Sequence, residues 1–360
     1  MKVLFITNSS GGLYRFRREV IEAFCERAEV YLCMPDTQFM EHWKEIGCKY
    51  IPCSFDRHGT NPFQELKQIS FYKKTIGKIK PDICFTYTIK PNVYGGIACA
   101  LIKVPYVANV TGLGTAVESG GLLAKISLAL YKRGLNKAQK VFFQNAENRD
   151  FMIDNKIVSG SYDLIPGSGV NLKQFELLEY PTDTVRFSFI SRIMKEKGID
   201  QYLEAAEEIR SRHPETEFHV FGMCEEDYEG KLKELQDKGI ITYHGNASNM
   251  TEVYQMTSCT VHPTYYPEGM SNVLLESCAS GRPIITTDRP GCREIVNDGD
   301  NGFVVKQKDS KDLIEKIEKF IELSWEQKRN MGLAGRAKVE REFDRQIVVQ
   351  KYLEEAERRS

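Results

Sequence analysis

Short apolar runs alternate with longer amphipathic stretches through the first half of the chain. Val3–Thr7 reads as a buried strand that enters the polar loop Asn8-Ser-Ser-Gly11-Gly12, and Leu13, Phe16, Val20, Ile21 and Phe24 then recur at helical spacing. Further strands are predicted at Val30–Met34, Tyr50–Cys53, Pro81–Thr86, Pro105–Val110 and Lys140–Gln144, with helices over 62–79 and 92–101. Pro166-Gly-Ser-Gly-Val-Asn-Leu172 and Glu179-Tyr-Pro-Thr-Asp183 read as a connection. A second alternating series follows. Its strands are Arg186–Ile190, Glu217–Phe221, Ile241–His244, Cys259–His262 and Pro283–Thr287, and its helices run over 199–212, 228–238, 249–256, 271–279, 310–323 and 325–358. Such alternation predicts an α/β protein with two doubly wound, Rossmann-like parallel sheets, residues 1–165 and 166–342, facing a cleft. Ligands of such sheets bind beyond the carboxyl ends of the strands. The loops expected there are Asn8–Gly12, Thr111–Thr115, Ser191–Gly198, Gly222–Cys224 and Tyr265–Met270.

Charge sharpens this picture. The chain has 360 residues and a net charge of −1, which gives no hint of nucleic acid. Residues 1–165 hold 22 Lys+Arg against 15 Asp+Glu, and residues 166–360 hold 27 against 35. The imbalance points the first half toward an anionic partner; scatter between two domains is the alternative. The ten cysteines form no CxxC and no zinc-like grouping with histidine, so they read as reduced core residues. Met1-Lys-Val-Leu-Phe-Ile-Thr is too short for a signal peptide, and no apolar run approaches the roughly 20 residues of a membrane span. A cytoplasmic protein is expected. GxGxxG and GxxxxGK[ST] are both absent.

The richest chemistry lies in Pro263-Thr-Tyr-Tyr-Pro-Glu268-Gly-Met-Ser-Asn-Val-Leu-Leu-Glu276. Ser271 is a good N-cap for an apolar helix, which puts Glu268 in the loop before it and Glu276 about two turns along. Between them lie backbone N–H groups without intrahelical partners, an anion site with an acceptor at each end. A sugar nucleotide has matching parts; a capped core helix with a surface glutamate is the plainer alternative. Ser191-Arg192-Ile-Met-Lys-Glu-Lys197-Gly198 supplies two cations suited to a diphosphate, or else a solvated loop.

Together these segments resemble the family-4 glycosyltransferases of the GT-B fold. The matching residues are Gly11-Gly12, Pro166-Gly-Ser-Gly-Val-Asn171 with Phe175, Ser191-Arg192 with Lys197-Gly198, Phe221-Gly222, His244-Gly245, and Glu268-Gly269 through Glu276. Ala279-Ser-Gly-Arg-Pro283, Gly291 with Glu294-Ile-Val, and Asp298-Gly-Asp-Asn-Gly302 complete the pattern. The resemblance implies a nucleoside-diphosphate-sugar donor, with uridine as the base, and retention at the anomeric carbon. Arg192 and Lys197 would hold the diphosphate, Glu268 the sugar hydroxyls and Glu276 the ribose. Gly269, Met270, Ser271 and Asn272 would support the phosphates. Gly11 and Gly12 would let the first domain approach the donor, and Gly222, Asn246 and Met250 would line the base pocket. The last helix, about 343–360, would pack back on the first domain. Front-face attack is favoured, with Glu268 as nucleophile the other route. No metal or other cofactor is expected, because Asp298-Gly-Asp300 lies among turn formers. No histidine is given a catalytic role, and His244 is expected to pack at its strand end.

Within that family, Tyr14-Arg-Phe-Arg17, Thr88-Ile-Lys90-Pro91-Asn92 with Gly95, and Thr111-Gly-Leu-Gly114 resemble bacterial transferases that extend lipid-linked sugars. This implies a polyprenyl-diphosphate-linked glycan as acceptor, in glycan or capsule assembly, with Arg15, Arg17, Lys90 and Thr111 as contacts. N-acetylhexosamine or galactose would be the sugar. Some relatives carry a carboxylate where Thr111 stands, which puts that loop in doubt. Residues 119–146 contain Lys125, Lys132, Arg133, Lys137 and Lys140 and no acid, with Leu122, Leu123, Ile126, Ala129 and Leu130 as an apolar stripe. Such a segment suits an anionic membrane surface or packs on the core. Two further readings stay open: a sugar-nucleotide 2-epimerase and a non-enzymatic sugar-binding protein.

Overall fold

A computed structural model describes residues 1–53, 62–114, 117 and 120–358; the side chains of Pro62 and Leu123 also lie outside it. Thr115 and Ser119, which fall in the expected loop and basic stretch, are outside the described residues. The chain divides into two compact units, Met1–Ser168 with Arg345–Ser360, and Gly169–Asp344.

The first unit is built on seven parallel strands, β1 Lys2–Ile6, β2 Glu29–Met34, β3 Lys49–Pro52, β4 Ile83–Tyr87, β5 Tyr106–Val110, β6 Lys140–Phe143 and β7 Tyr162–Leu164, in the order β3-β2-β1-β4-β5-β6-β7. Strand β1 lies between β2 and β4, with Val3 opposite Val30 and Ile83. Its side chains alternate between two cores: Val3 and Phe5 enter one, Leu4 and Ile6 the other. That two-sided burial explains the unbroken apolar runs read in the sequence.

Helices α1 Ser10–Cys25, α2 Met40–Glu45, α3 Pro62–Ile79, α4 Gly96–Ile102, α5 Gly121–Leu135 and α6 Ala146–Asp154 cover the two faces. The expected loop through Gly12 is shorter than predicted. Ser9 caps α1 by accepting from the Gly12 N–H at 3.1 Å, so Gly11 and Gly12 lie inside its first turn. The helix expected over 92–101 begins as a π-helical turn, Pro91–Gly95, and continues as α4.

The second unit repeats the winding. Its strands β8 Arg186–Ile190, β9 Glu217–Phe221, β10 Thr242–Tyr243, β11 Cys259–His262, β12 Ile284–Thr287 and β13 Gly302–Val305 stand in the order β10-β9-β8-β11-β12-β13. In both sheets the order reverses beside the first strand: between β1 and β4, and between β8 and β11. Helices α7 Ile199–Arg212, α8 Glu229–Asp237, α9 Met250–Met256, α10 Asn272–Ala279, α11 Ser310–Glu322 and α12 Trp325–Glu342 surround the second sheet.

The helical stretch expected over 325–358 divides at Phe343, where the separate last helix was expected to begin; the Phe343 carbonyl accepts from Val170 N–H at 2.8 Å. The chain then enters α13, Arg345–Glu357, which belongs to the first unit. Arg345 forks onto both oxygens of Glu19 at 2.9 Å, and Tyr352 packs against Phe85 and Phe142 at 5.1 and 5.3 Å between ring centres.

Candidate functional site

Strands β8 and β11 are neighbours across the point where the second sheet reverses. Their carboxyl ends therefore splay two loops apart, and a ligand fits between them. Arg192 and Lys197 follow β8, and Glu268 follows β11. The loops are laced together: Tyr265 N–H donates to the Glu196 carbonyl at 2.9 Å, and Thr264 Oγ1 to the same oxygen at 3.3 Å. Gly198, at φ 80°, closes the first loop, and a Cβ there would lie 2.2 Å from the Pro263 carbonyl oxygen. Only glycine allows that approach.

The lacing brings three predicted residues together. The Lys197 ammonium meets the Glu268 carboxylate, both largely buried. Both cations lie over the Tyr266 ring, Lys197 at 4.5 Å and Arg192 at 5.3 Å from its centre. Arg192 keeps its outer edge in solvent and pairs with Glu225 at 2.6 Å. Burial would push the Glu268 carboxyl up; the neighbouring His262 ring and the Lys197 ammonium outweigh it and hold the group at about 2. His262 ends β11 and is itself depressed by burial. Sequence reasoning missed both Tyr266 and His262, although their places beside Glu268 and at a strand end were the available signals.

Glu276 lies on α10, where Tyr254 OH donates to it at 3.1 Å. Ser271 holds the N-cap backbone position, but its side chain makes no cap bond, contrary to expectation. Its own N–H goes to the Gly291 carbonyl at 2.8 Å, and the first intrahelical bond is Leu275 N–H to Ser271 O at 3.2 Å. The N–H groups of Asn272, Val273 and Leu274 thus precede the helical ladder and face outward along its axis. Gly269 and Met270 are buried under this turn. Gly222 adjoins Arg192 through Ser191, with its carbonyl accepting from Tyr243 OH at 3.0 Å. Asn246 is exposed in the loop after β10, and Met250 opens α9. His244 stacks on Phe221 at 4.3 Å, in keeping with a packing role.

Two family models match the chain: "Glycosyl transferase 4-like" over residues 2–145 and "Glycosyl transferases group 1" over residues 172–338. The chain belongs to these glycosyltransferase families. It is 27% identical, over 98% of its length and 97% of the relative's, to the N,N'-diacetylbacillosaminyl-diphospho-undecaprenol alpha-1,3-N-acetylgalactosaminyltransferase of Campylobacter jejuni. It is 26% identical to the capsular polysaccharide biosynthesis glycosyltransferase CapM of Staphylococcus aureus, covering 96% of this chain and 94% of CapM. Its fold matches Anabaena HepE, solved in complex with UDP, with a TM-score of 0.80 at 18% identity over 98% of this chain and 99% of HepE. The architecture is thus GT-B.

The first unit of this glycosyltransferase treats the expected acceptor residues unevenly. Arg15 is exposed on α1, and Thr111 is half-buried beyond β5. Lys90 pairs with Glu65 of α3 at 3.1 Å. Arg17 is a correction. It is buried, its Nε donates to Tyr352 OH at 3.1 Å and its Nη2 to the Gly167 carbonyl at 3.4 Å, and it stacks on Tyr87 and Tyr352. Its charge is used to anchor α13. Asn92 and Asn109 are likewise internal: Asn92 donates to the Asn109 carbonyl at 2.7 Å, and Asn109 to the Thr86 carbonyl at 3.1 Å.

Gly11 lies half-buried in the first turn of α1. Within α1 it faces Gln38, whose Oε1 a Cβ would meet at 2.7 Å, and Asp36 holds the helix mouth through Ser10. Gly12 is held by Ser9. Among the described residues no group of three His, Cys, Asp or Glu is placed to hold a metal ion.

Proposed function

We propose that this glycosyltransferase moves a sugar, N-acetylhexosamine or galactose, from a UDP-sugar to a polyprenyl-diphosphate-linked glycan in glycan or capsule assembly, with retention and without a metal. The observation that carries the donor reading is the joining of Lys197, Arg192 and Glu268 at the reversal point of the second sheet, beside the open first turn of α10. Two cations and three unladdered N–H groups suit a diphosphate. Glu268 suits the hydroxyls of the sugar, and Glu276 those of the ribose. Complexes of Anabaena HepE with UDP and UDP-glucose support the same class of donor. The acceptor reading is supported by the names of the Campylobacter and Staphylococcus relatives.

In this reading the second unit binds the donor and the first the acceptor. The chemistry is electrostatic: Arg192 and Lys197 stabilise charge on the departing diphosphate, in positions set before the reaction begins. The leaving phosphate oxygen accepts the proton of the attacking hydroxyl on the same face of the sugar. In the ligand-free protein the Glu268 carboxylate is held by Lys197, which suits an acceptor for the sugar hydroxyls.

The basic helix α5 supports a peripheral place on an anionic membrane. Leu122 is 74% and Ile126 49% exposed, with Ala129, Lys125, Lys132 and Arg133 also exposed, while Ala124, Tyr131 and Leu135 supply its core face. Leu130 of the expected stripe is half-buried against the core instead. No helix among the described residues is long and apolar enough to cross a membrane.

A panel of UDP-sugars against polyprenyl-diphosphate-linked acceptors, read by mass spectrometry, tests the reaction. Arg192→Ala and Lys197→Ala should each lose about 2–4 kcal/mol of transition-state stabilisation; both within a few-fold of wild type would overturn the donor site. Flotation with vesicles tests the membrane: binding that ignores anionic lipid argues for a soluble acceptor.

A further inference from the structure

His262 is the least explained polar residue of the second unit. It is 2% exposed, and neither ring nitrogen has a hydrogen-bond partner among the described residues. Buried polar groups are rarely left so, because each forfeits its hydration with nothing in return. The backbone at this point is firmly held: Thr286 Oγ1 donates to the His262 carbonyl at 2.8 Å. The ring therefore cannot drift far. Its Nε2 lies 3.9 Å from Glu268 Oε1, about 1 Å beyond a hydrogen bond. The same carboxylate oxygen is in contact with the Lys197 ammonium.

This arrangement has a consequence once a diphosphate arrives. Lys197 has one ammonium and two anionic claimants, the Glu268 carboxylate and the incoming phosphate. The more highly charged phosphate draws it away. Glu268 would then hold a largely buried negative charge whose cation has turned elsewhere, which is costly. A neutral imidazole with its proton on Nε2 is within a small side-chain shift of that oxygen and has no other partner to give up.

We propose that His262 is a positioning residue that takes up the Glu268 carboxylate when the donor diphosphate engages Lys197. In the free protein the ring waits unbonded; in the donor complex its Nε2–H donates to Glu268 Oε1 and keeps that carboxylate aimed at the sugar hydroxyls. No bond is made or broken, and no proton leaves the ring. The inference rests on the donor reading above.

The exchange sets His262 apart from a structural histidine. Replacing an unbonded buried ring removes an unmet cost, so His262→Leu should melt no lower than wild type without ligand. Its affinity for UDP-sugar should fall about tenfold or more, by loss of a hydrogen bond to a charged group. At saturating donor, kcat should fall much less than KM rises. His262→Gln, which restores an N–H donor, should recover affinity to within about threefold of wild type. In the wild type, the imidazole Nε2–H resonance should sharpen and move downfield as UDP-sugar is added.

Two results would overturn the inference: His262→Leu binding UDP-sugar as tightly as wild type, or an imidazole resonance that ignores the ligand. A drop in the unliganded melting temperature with unchanged donor affinity would make the residue structural and also end it. Failure of the wild-type protein to bind any UDP-sugar is a different outcome, since it removes the donor reading itself.

Discussion

A Cβ on Gly222 would lie 1.8 Å from the Ser191 carbonyl oxygen, at a backbone φ of 140°. The ends of β8 and β9 therefore close on each other only because residue 222 has no side chain, and Arg192 leaves from the same point. Gly222→Ala should force the two strand ends apart and cost the second unit about 2–4 kcal/mol of unfolding free energy. Denaturant titration of that unit measures it. A variant as stable as wild type would mean the strand ends have freedom that the close approach denies.

Arg17 separates a structural cation from a ligand-binding one. Its guanidinium is committed to Tyr352 and the Gly167 carbonyl in the anchoring of α13. Arg17→Met should lower the melting temperature, by loss of about 2–4 kcal/mol, because it takes a donor from the Tyr352 hydroxyl and the Gly167 carbonyl and the cation from the Tyr87 and Tyr352 rings. The acceptor KM of the folded fraction should stay within about twofold, since no binding hydrogen bond is removed. A large rise in KM with unchanged melting would return Arg17 to the acceptor site.

These two residues mark how far the sequence could be read. Strand–helix alternation made both doubly wound sheets legible, because strands buried on both faces must be apolar throughout. The Arg192, Lys197 and Glu268 group was legible because a motif keeps charged residues at strand ends. What the sequence hid was pairing across distance. Arg17 and Lys90 look alike as basic residues near polar loops, yet one meets Tyr352 from 335 positions away and the other meets Glu65. His262 is the last residue of β11, and only the lacing of two loops shows what it faces. β7, β13 and α6 were missed because they are short and carry little periodicity of their own. The last helix was expected from about 343 through the resemblance alone; nothing in the local pattern signals the bond from Val170 to Phe343 that ends the helix before it.

Acid should weaken the second unit in two stages. His262 and His219 are both depressed by burial from 6.5, so the native state binds fewer protons than the unfolded chain. Their contribution is whole above about pH 6.5 and declines as the pH falls below it. Glu268 is lowered from 4.5 to about 2, so its contribution is whole above about pH 4.5 and is lost as the pH falls toward 2. Urea midpoints from pH 7 to 2.5 should trace both declines. Lys197→Met removes an ammonium that helps His262 hold Glu268 down, so the loss between about pH 4.5 and 2 should be smaller, and should end at a higher pH, than in wild type. Identical pH profiles for the two proteins would show that the Lys197–Glu268 pair does not set the carboxyl's affinity for protons.

Asp298 and Asp300 spell a pattern that elsewhere holds a metal, and here their carboxylates are tied into a turn. Asp298 Oδ1 accepts from Val304 N–H at 2.8 Å, and Gly299 N–H donates to the Gly302 carbonyl at 2.8 Å. Asp300 Oδ2 accepts from the Asn297 side-chain amide at 3.4 Å. Beneath them the buried Asn301 donates to the Ile295 carbonyl at 3.0 Å and accepts from Asn297 N–H at 2.6 Å, which fixes the turn from inside. Asp298→Ala should therefore cost about 1–2 kcal/mol of stability, because it takes the acceptor from the Val304 N–H of β13, and Asp300→Ala should cost almost nothing. Transfer per folded molecule should survive both changes and an excess of EDTA. If EDTA abolished transfer, a divalent cation restored it, and Asp300→Ala did the same damage without unfolding the protein, the two carboxylates would be metal ligands and the turn incidental.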